Sequence, residues 1–298
     1  MGERIASRPR ARTRPGVVRR VCLAGIPLAV ASVLSCGSPP ADTHQPSARI
    51  VSLAPASTEL LFALGAGPQV VGRTRWGVDP PEAEAVPSVG DGLEPNVEAV
   101  AGRRPDLVVF YQSPANAAAM EQLAQLGIRI VAIRMDRLED VIDAARELGH
   151  ATGHAARADS LADGFAAALD SARADSGAGP RRSVLILSWD QPPIIIGGGS
   201  FQSQLVDLAG ARNVFGELTR PSAQVSIETI AARDPDIVLV IGGGTGTPDW
   251  AERPEWKVVR AVRERRFARV EGTAFSHPSF RALDAARLLR RALEAVPQ

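Results

Sequence analysis

A segment near residue 100 returns about 130 residues further along the chain, and this internal repeat constrains the fold more than any single motif. Residues 94–110 align with residues 224–240, and each copy has the pattern of a short helix, a Pro-Asp turn and a buried strand. A second repeat relates residues 61–72 to residues 205–216 in the same order. Repeats with so long a period are not those of a solenoid. They predict two α/β lobes with open, mainly parallel sheets and a ligand cleft between the lobes.

The first 35 residues have a composition of their own. Seven arginines lie within residues 4–20, and an apolar run of about 14 residues, Val21 to Leu34, follows them. A basic segment before a short apolar run is typical of an export signal, and a membrane span needs about 20 apolar residues. Cys36 follows the run directly after a small residue, which resembles the lipobox of bacterial lipoproteins. We therefore predict a signal peptide over residues 1–35, a lipid on Cys36 and a flexible tether over residues 36–48, with ordinary cleavage and an unmodified Cys36 as the alternative.

The remaining chain is mildly acidic. Seven of the 34 basic residues and one of the 33 acidic residues lie in residues 1–35, which leaves 27 basic and 32 acidic residues. Such a balance argues against general nucleic-acid binding, for which a basic surface supplies most of the affinity. The cysteines are Cys22 and Cys36, so the chain after the tether has no disulfide or cysteine-ligated zinc site.

Strand and helix patterns alternate along the mature chain, and one long helix divides them. Residues 155–176 are rich in alanine, lack proline and span about 33 Å as a helix. We predict an N-terminal lobe over residues 49–153, a backbone helix over 154–177 and a C-terminal lobe over 178–298. Finer signals predict a hydroxyl cap from Ser57, a capping box of Asp136 with Glu139, and a helix end at Gly149.

Several ordered motifs resemble those of one known family. They lie at residues 50–59, 72–81 and 122–128 and at the two Pro-Asp turns. Together they resemble the helical-backbone (cluster A, class III) periplasmic binding proteins of ABC importers for cobalamin, ferric siderophores and haem, and most closely the cobalamin-binding members. The resemblance implies two lobes joined by one rigid helix. It also implies a substrate-binding protein, without enzymatic activity or a cofactor of its own, that delivers a metal chelate to a permease dimer driven by a cytoplasmic ATPase.

The resemblance gives a role to two matching acidic residues. Glu98 and Glu228 occupy the same place in the two copies of the repeat. In the family, one glutamate on each lobe docks onto the permease, and the alternative is that both are ordinary solvated helix residues. A repeat kept only for packing has no need to retain an exposed charge, so we expect docking.

Ligand contacts are expected where strands end, because open α/β sheets bind ligands at their carboxyl edges. Trp76, Tyr111 and Trp189 follow predicted strands in a chain with few aromatic residues, and flat rings could stack on a macrocycle. The Pro55–Ser57 turn and the segment 273–277 are further candidates, and loop arginines would suit an anionic siderophore. The complete set of predicted ligand-binding residues is Ala56, Ser57, Arg75, Trp76, Tyr111, Trp189, Phe275 and His277. His277 is also a candidate metal ligand. The alternative is a loop histidine hydrogen-bonded to backbone, which is more common.

Three alternatives stay open at the level of sequence. The ligand could be a ferric siderophore or haem in place of cobalamin or another corrinoid. The protein could be an exported hydrolase or chelate-processing enzyme, although no nucleophile, acid–base pair or cofactor motif is recognisable. It could also be a structural subunit that has lost ligand binding. The glycine-rich segments 197–200 and 242–246 lack the Lys-Ser/Thr of a P-loop and are interpreted as tight turns that bring backbone near the ligand.

Overall fold

The computed structural model describes residues 47–176, 180–242, 244 and 246–297. The predicted signal peptide, the predicted lipid site Cys36 and nearly all of the predicted tether lie outside these residues. Within the described part of the chain, no helix has the length and apolar character needed to cross a membrane.

The N-terminal lobe, as described within residues 47–152, is built on a sheet of four parallel strands in the order β2-β1-β3-β4. Both faces of the central strand β1 are buried. Ile50 packs in one hydrophobic cluster and its neighbour Val51 packs in another. Strands buried on both faces are typical of parallel sheets covered by helices. The elements are β1 (Ile50–Ser52), α1 (Pro55–Leu64), β2 (Val70–Arg73), α2 (Val97–Ala101), β3 (Leu107–Tyr111), α3 (Ala117–Gln125) and β4 (Arg129–Ile133).

The C-terminal lobe repeats this plan and adds an antiparallel edge. The strand order is β10-β9-β5-β6-β8, with β7 also paired to β5. Strands β10, β9, β5 and β7 are parallel, whereas β6 and β8 run antiparallel to their neighbours. The elements are β5 (Ser183–Asp190), β6 (Pro193–Ile196), α6 (Phe201–Leu208), β7 (Arg212–Asn213), β8 (Ser222–Gln224), α7 (Ile227–Arg233), β9 (Ile237–Ile241), α8 (Arg260–Arg263), β10 (Phe267–Val270) and α9 (Ala282–Glu294). The predicted fold class, two α/β lobes with mainly parallel sheets, is confirmed.

The two copies of the sequence repeat also share a hydrogen bond that caps the start of their helices, α2 and α7. Asn96 Oδ1 accepts a hydrogen bond from Ala99 N at 2.9 Å and caps α2. Ser226, at the matching position, accepts from Thr229 N at 3.2 Å and caps α7. Side-chain oxygens at this position satisfy backbone N–H groups that the helix itself leaves unpaired. The two copies therefore start their helices by the same device with different residues.

The ends of these helices and the following strands repeat as well. Arg104 and Asp234 both adopt left-handed backbone, with φ of +49° and +45°. Asp106 Oδ2 accepts from Arg49 N at 3.0 Å, and Asp236 Oδ2 accepts from Ser183 N at 2.9 Å. In each lobe the aspartate of the Pro-Asp turn thus fixes the start of the central strand. This explains on physical grounds why the Pro-Asp turn recurs.

Helices α4 (Leu138–Thr152) and α5 (Ala155–Asp175) follow each other along the chain between the strands of the two lobes. The first half of α5 buries Ala158 and Ala162 in the core of the N-terminal lobe. Its second half buries Phe165 and Leu169 in the core of the C-terminal lobe. The helix therefore spans both lobes, as predicted, and it packs on α4 along the way. The lobe boundaries drawn at residues 153 and 178 stay a prediction.

The predicted helix end at Gly149 is wrong. Helix α4 continues to Thr152 and ends at Gly153, which has a φ of +79°. A Cβ atom on Gly149 would lie 2.3 Å from the Cβ of Ala158 in α5. Gly149 is therefore a packing residue that lets two helices approach closely, and not a terminator.

Both predicted side-chain caps are also wrong. The Ser57 side chain is buried, and its Oγ has no hydrogen-bond partner within the described residues. At the start of α4, the backbone N–H groups of Asp136 and Arg137 donate to Asp140 Oδ2, at 2.8 and 2.9 Å, and not to Glu139. Glu139 instead contacts the other lobe, where Gln204 Nε2 donates to both of its carboxylate oxygens at 3.0 and 2.9 Å.

Candidate functional site

A cleft of about 460 Å³ lies between the lobes at the carboxyl edge of the N-terminal sheet. Each strand described in that sheet contributes to it, through Leu53 after β1, Thr74 after β2, Tyr111 in β3 and Met135 after β4. The opposite wall comes from the C-terminal lobe. Its main lining residues are Ser200, Phe201 and Gln202 at the start of α6, Pro221, and Ser276, His277 and Pro278 after β10. The position follows the rule for ligand sites in open α/β sheets.

Four of the eight predicted ligand-binding residues line this cleft, namely Ala56, Trp76, Tyr111 and His277. The other four are not among the lining residues in the described part of the chain. Ser57 and Phe275 are buried in the lobes, Phe275 in the core of the C-terminal lobe. Trp189 is exposed on the β5–β6 hairpin, where its Nε1 donates to Gln191 O at 2.8 Å. Whether any of the eight contacts a ligand stays a prediction.

Trp76 forms an exposed aromatic platform at the cleft, with 62% of its surface accessible. Its Nε1 donates to Asp91 Oδ2 at 3.3 Å, and Asp91 Oδ1 accepts from Leu93 N at 2.9 Å. Arg75 Nη2 lies 3.1 Å from the same Asp91 oxygen. Arg75 therefore supports the aspartate that orients Trp76. Large apolar surface held in one orientation beside a cavity suits a flat ligand.

Tyr111 lies in a hydrogen-bonded chain at the floor of the cleft. Its hydroxyl donates to Asp136 Oδ1 at 2.6 Å, and Arg134 Nε donates to Asp136 Oδ2 at 2.6 Å. Burial and the hydrogen bond to Asp136 raise the pKa of Tyr111 to about 12. The tyrosine is therefore a neutral donor fixed by the aspartate. Because Asp136 accepts these bonds, it does not form the capping box that its position suggested.

His277 belongs to a hydrogen-bonded cluster that bridges the two lobes. Its Nε2 lies 2.9 Å from Glu59 Oε2, and Arg281 donates from Nε to Glu59 Oε1 at 2.8 Å. Burial raises the pKa of Glu59, but the hydrogen bonds from His277 and Arg281 outweigh it and hold that pKa at about 2. One imidazole nitrogen of the candidate metal ligand is thus already engaged. Among the described residues, no group of three or more His, Cys, Asp or Glu side chains could hold a metal ion.

The triple glycine at 197–199 contacts protein backbone. A Cβ atom on Gly198 would lie 1.9 Å from Gly216 O, and one on Gly199 would lie 2.1 Å from Thr219 O. These distances are far below van der Waals contact, so side chains there would push the segment 216–220 away. The turn follows a strand as expected, and its glycines allow close contact between two loops. Gly197, Gly198 and Gly199 are not among the described lining residues of the cleft, although the next residue, Ser200, is.

The sequence interpretation missed several lining residues, including Leu93, Thr74, Met135 and Asn116. Thr74 and Met135 lie within two residues of the ends of β2 and β4, so the expectation that ligands bind where strands end could have identified them. Thr74 Oγ1 and Asn116 Oδ1 are buried and have no hydrogen-bond partner in the described part of the chain. No local pattern marks Leu93, whose exposure at the cleft follows from the loop that Asp91 holds.

The two candidate docking residues are both exposed on the surface. Glu98 and Glu228 are each the second residue of their helices, α2 and α7. A helix between parallel strands runs back from the carboxyl to the amino edge of the sheet, so its first turn lies near the carboxyl edge. Both glutamates are therefore on the side of their lobes where the sheet's ligand edge lies.

Comparison with known proteins gives a consistent result. The family described as periplasmic binding protein matches residues 50–272. The vitamin B12-binding protein of Pectobacterium atrosepticum is 32% identical over 203 residues, which are 66% of this chain and 72% of that protein. The crystal structure of the periplasmic vitamin B12 binding protein of Vibrio cholerae superposes with a TM-score of 0.68 at 25% identity, covering 84% of this chain and 97% of that one. The apo periplasmic haem-binding protein of Roseiflexus sp. RS-1 superposes with a TM-score of 0.71 at 23% identity, covering 83% and 99% of the chains, and shows similarity of fold.

Proposed function

This chain belongs to the periplasmic binding protein family, and we propose that it captures a corrinoid, with cobalamin as first candidate, and delivers it to an ABC importer. The observation that carries the proposal is the cleft between the lobes, walled by the Trp76 platform and mostly uncharged side chains. The two lobes share a helix that packs into both cores, so the cleft is largely preformed. A preformed site avoids much of the ordering cost of binding.

The charges around the cleft favour an uncharged ligand. Neither lysine nor arginine is found among the lining residues that the structure describes. The acidic lining residues Asp91 and Asp136 are already paired with Arg75 and Arg134. A bound carboxylate would therefore lose hydration without gaining a free cation in return. This favours a corrinoid with neutral amide side chains over an anionic ferric siderophore.

Haem is supported less than either of these ligands. Haem also has two carboxylates, and its iron would require an axial ligand from the cleft. The hydroxyl proton of Tyr111 is held by Asp136, and a pKa of about 12 opposes formation of a tyrosinate. His277 is the other candidate ligand, but its Nε2 contacts Glu59. Ligation of a chelated metal by His277 would have to use Nδ1.

An exported hydrolase lacks support in the cleft geometry. The serines that line the cleft are Ser113, Ser200 and Ser276, and the histidine is His277. Within the described residues, Ser113 accepts from Ala115 N, Ser200 contacts Gln202 and His277 contacts Glu59. A nucleophile needs a base within hydrogen-bond reach, and these side chains do not form such a pair.

Delivery requires a permease, and Glu98 with Glu228 is the proposed contact. Their matching positions on exposed helix starts at the ligand side of each lobe support docking of both lobes on a dimeric partner. The test replaces both, Glu98→Gln with Glu228→Gln, and measures ATPase stimulation of the permease and ligand affinity. We expect stimulation to fall about tenfold or more while the dissociation constant stays unchanged. The matched control is Glu121→Gln with Glu255→Gln, two exposed glutamates elsewhere on the lobes, and equal stimulation by both double variants would contradict docking.

The anchor and the location form part of the same proposal. A lipid on Cys36 would hold the protein at the membrane on the extracytoplasmic side, in the periplasm, with residues 36–48 as a tether. Mass spectrometry of the mature protein tests this directly. A lipid-modified N-terminal Cys36 supports the anchor, and an unmodified terminus at another residue contradicts it.

The ligand is tested by isothermal titration calorimetry of the purified protein with cyanocobalamin, dicyanocobinamide, an anionic ferric catecholate siderophore and haemin. We expect saturable binding of cyanocobalamin or cobinamide and no comparable binding of the two anionic or iron-containing competitors. Saturable binding of only the siderophore or only haemin would refute the corrinoid proposal. Turnover of any of these compounds would instead favour an enzyme.

A further inference from the structure

We propose that Glu59 is a positioning residue for ligand binding, which holds the His277 imidazole in the cleft wall from the opposite lobe. This inference rests on the proposed function, because it concerns the same cleft. Glu59 is on α1 in the N-terminal lobe, and His277 follows β10 in the C-terminal lobe. Within the described residues, Glu59 does not line the cleft itself but faces two smaller cavities behind it, of about 130 and 420 Å³.

The contact between the two side chains is shielded from solvent. Glu59 and His277 side chains are only 11% and 12% exposed, and their closest atoms, Oε2 and Nε2, are 2.9 Å apart. Because the guanidinium of Arg281 donates to both oxygens of Glu59, the carboxylate is ionised and has no proton to donate. The proton in this hydrogen bond therefore belongs to His277 Nε2. That assignment fixes both the protonated nitrogen and the orientation of the ring.

Arg281 supports this arrangement from the C-terminal lobe. Its Nε and Nη2 donate to the two oxygens of Glu59 at 2.8 and 2.9 Å, a bidentate pair that fixes the plane of the carboxylate. Nη2 also donates to Thr273 Oγ1 at 2.9 Å. Thr273 begins the turn that leads to His277, and His277 N donates to Thr273 O at 3.2 Å. One guanidinium thus fixes both the carboxylate and the turn that bears the histidine.

The remaining ring nitrogen, Nδ1, is the group that this arrangement makes available. It makes no hydrogen bond within the part of the chain that the structure describes, and His277 lines the cleft. In a neutral ring that donates from Nε2, Nδ1 is an acceptor. An amide N–H at the edge of a corrinoid is a matching donor. Without Glu59 the ring could rotate or exchange its proton between nitrogens, and only a fraction of molecules would present Nδ1 correctly.

The main test measures the affinity for cyanocobalamin after Glu59→Gln and Glu59→Leu. We expect the dissociation constant to rise about tenfold in Glu59→Leu, because only about one tenth of the molecules would then hold the His277 ring in the binding orientation. In Glu59→Gln we expect a smaller rise. Glu82→Gln is the matched control, because Glu82 lines the same 420 Å³ cavity. Thermal unfolding verifies that each variant is folded, and the conservative Glu59→Gln keeps the test valid if Glu59→Leu does not fold. An unchanged dissociation constant in a folded Glu59→Leu would overturn the proposal.

A second background separates positioning from a general structural effect. In a His277→Ala protein, Glu59→Gln should cause no further loss of affinity, because Glu59 acts through the imidazole. The same loss in both backgrounds would show that Glu59 acts through the spacing of the lobes, which overturns the proposal.

Nitrogen-15 spectra of the histidine side chains test the positioning without any ligand. With His277 assigned by the signal lost in His277→Ala, we expect its Nε2 to carry the proton in the wild type and both nitrogens to share it in Glu59→Leu. If the wild type binds no cyanocobalamin but shows this pattern, the corrinoid function fails while the positioning by Glu59 is supported. A mixed pattern in the wild type overturns the positioning.

Discussion

The interlobe cluster around Glu59 should make the stability of the protein depend on acidic pH. The pKa of Glu59 is about 2 in the folded protein against an ordinary value of 4.5. Each unit by which the folded pKa lies below the ordinary pKa corresponds to about 1.4 kcal/mol of free energy that favours the ionised form in the folded protein. With its side chain only 11% exposed, Glu59 then contributes about 3 kcal/mol at neutral pH.

The sign and the pH window follow from the direction of this pKa change. Because the folded pKa is the lower one, the contribution is complete above pH 4.5 and is lost as the pH falls towards 2. At pH 3 the folded protein keeps Glu59 mostly ionised while the unfolded chain has bound a proton. About 2 kcal/mol of the contribution is lost between pH 7 and pH 3.

The assay is urea unfolding of the wild type and Glu59→Gln at pH 7, 5, 4 and 3. We expect the wild type to lose about 2 kcal/mol more free energy of unfolding than the variant between pH 7 and pH 3, and to lose almost none of this above pH 5. Asp284→Asn is the control, because Asp284 forms a pair with Arg287 in which both side chains are largely exposed. Such pairs contribute little. Parallel pH profiles of the wild type and Glu59→Gln would refute the reasoning.

Two further pairs of substitutions test packing and ligand contact. Gly149→Ala should lower the free energy of unfolding by about 2 kcal/mol through its clash with Ala158, measured by urea unfolding. Gly164→Ala, with no atom within 4 Å of the new Cβ, should raise it by about 0.5 to 1 kcal/mol, and equal effects would contradict close packing at Gly149. Trp76→Ala should weaken cyanocobalamin binding about tenfold by calorimetry without changing stability. Trp189 is 59% exposed and is not among the cleft-lining residues of the described structure, so Trp189→Ala should leave cyanocobalamin affinity unchanged. A larger loss of affinity in Trp189→Ala than in Trp76→Ala would place the ligand elsewhere.

Sequence patterns predicted the elements well because local periodicity and chain punctuation determine them. The Pro-Asp repeat correctly predicted a strand after each turn, β3 and β9, and the long alanine-rich helix is α5. The predicted capping box failed because both of its side chains have partners far along the chain. Asp136 is taken by the hydroxyl of Tyr111, and Glu139 by Gln204 from the other lobe. Neither partner is visible in a window of a few residues.

Half of the predicted ligand residues line the cleft, and their contact with a ligand stays a prediction. Trp76 and Tyr111 follow or end strands of the parallel sheet, where the rule of carboxyl edges applies. Trp189 also ends a strand, but β5 turns directly into the antiparallel β6, and the hairpin takes the ring to an exposed surface. Glu59 gave no signal, since its contacts with His277 and Arg281 join residues 218 and 222 positions apart.

The duplication has kept different features at the two edges of the sheets. At the amino edge both lobes retain an aspartate, Asp106 or Asp236, that fixes the central strand. At the carboxyl edge the N-terminal lobe presents Tyr111, whereas the C-terminal lobe inserts the β5–β6 hairpin. The amino edge is needed for folding of each lobe and so keeps its chemistry, while the carboxyl edges form one asymmetric cleft and are free to diverge. Glu98 and Glu228 are the exception, because they retain the same exposed charge near the divergent edge without a packing role. The proposed docking accounts for this identity, because a dimeric permease would present the same surface to both lobes.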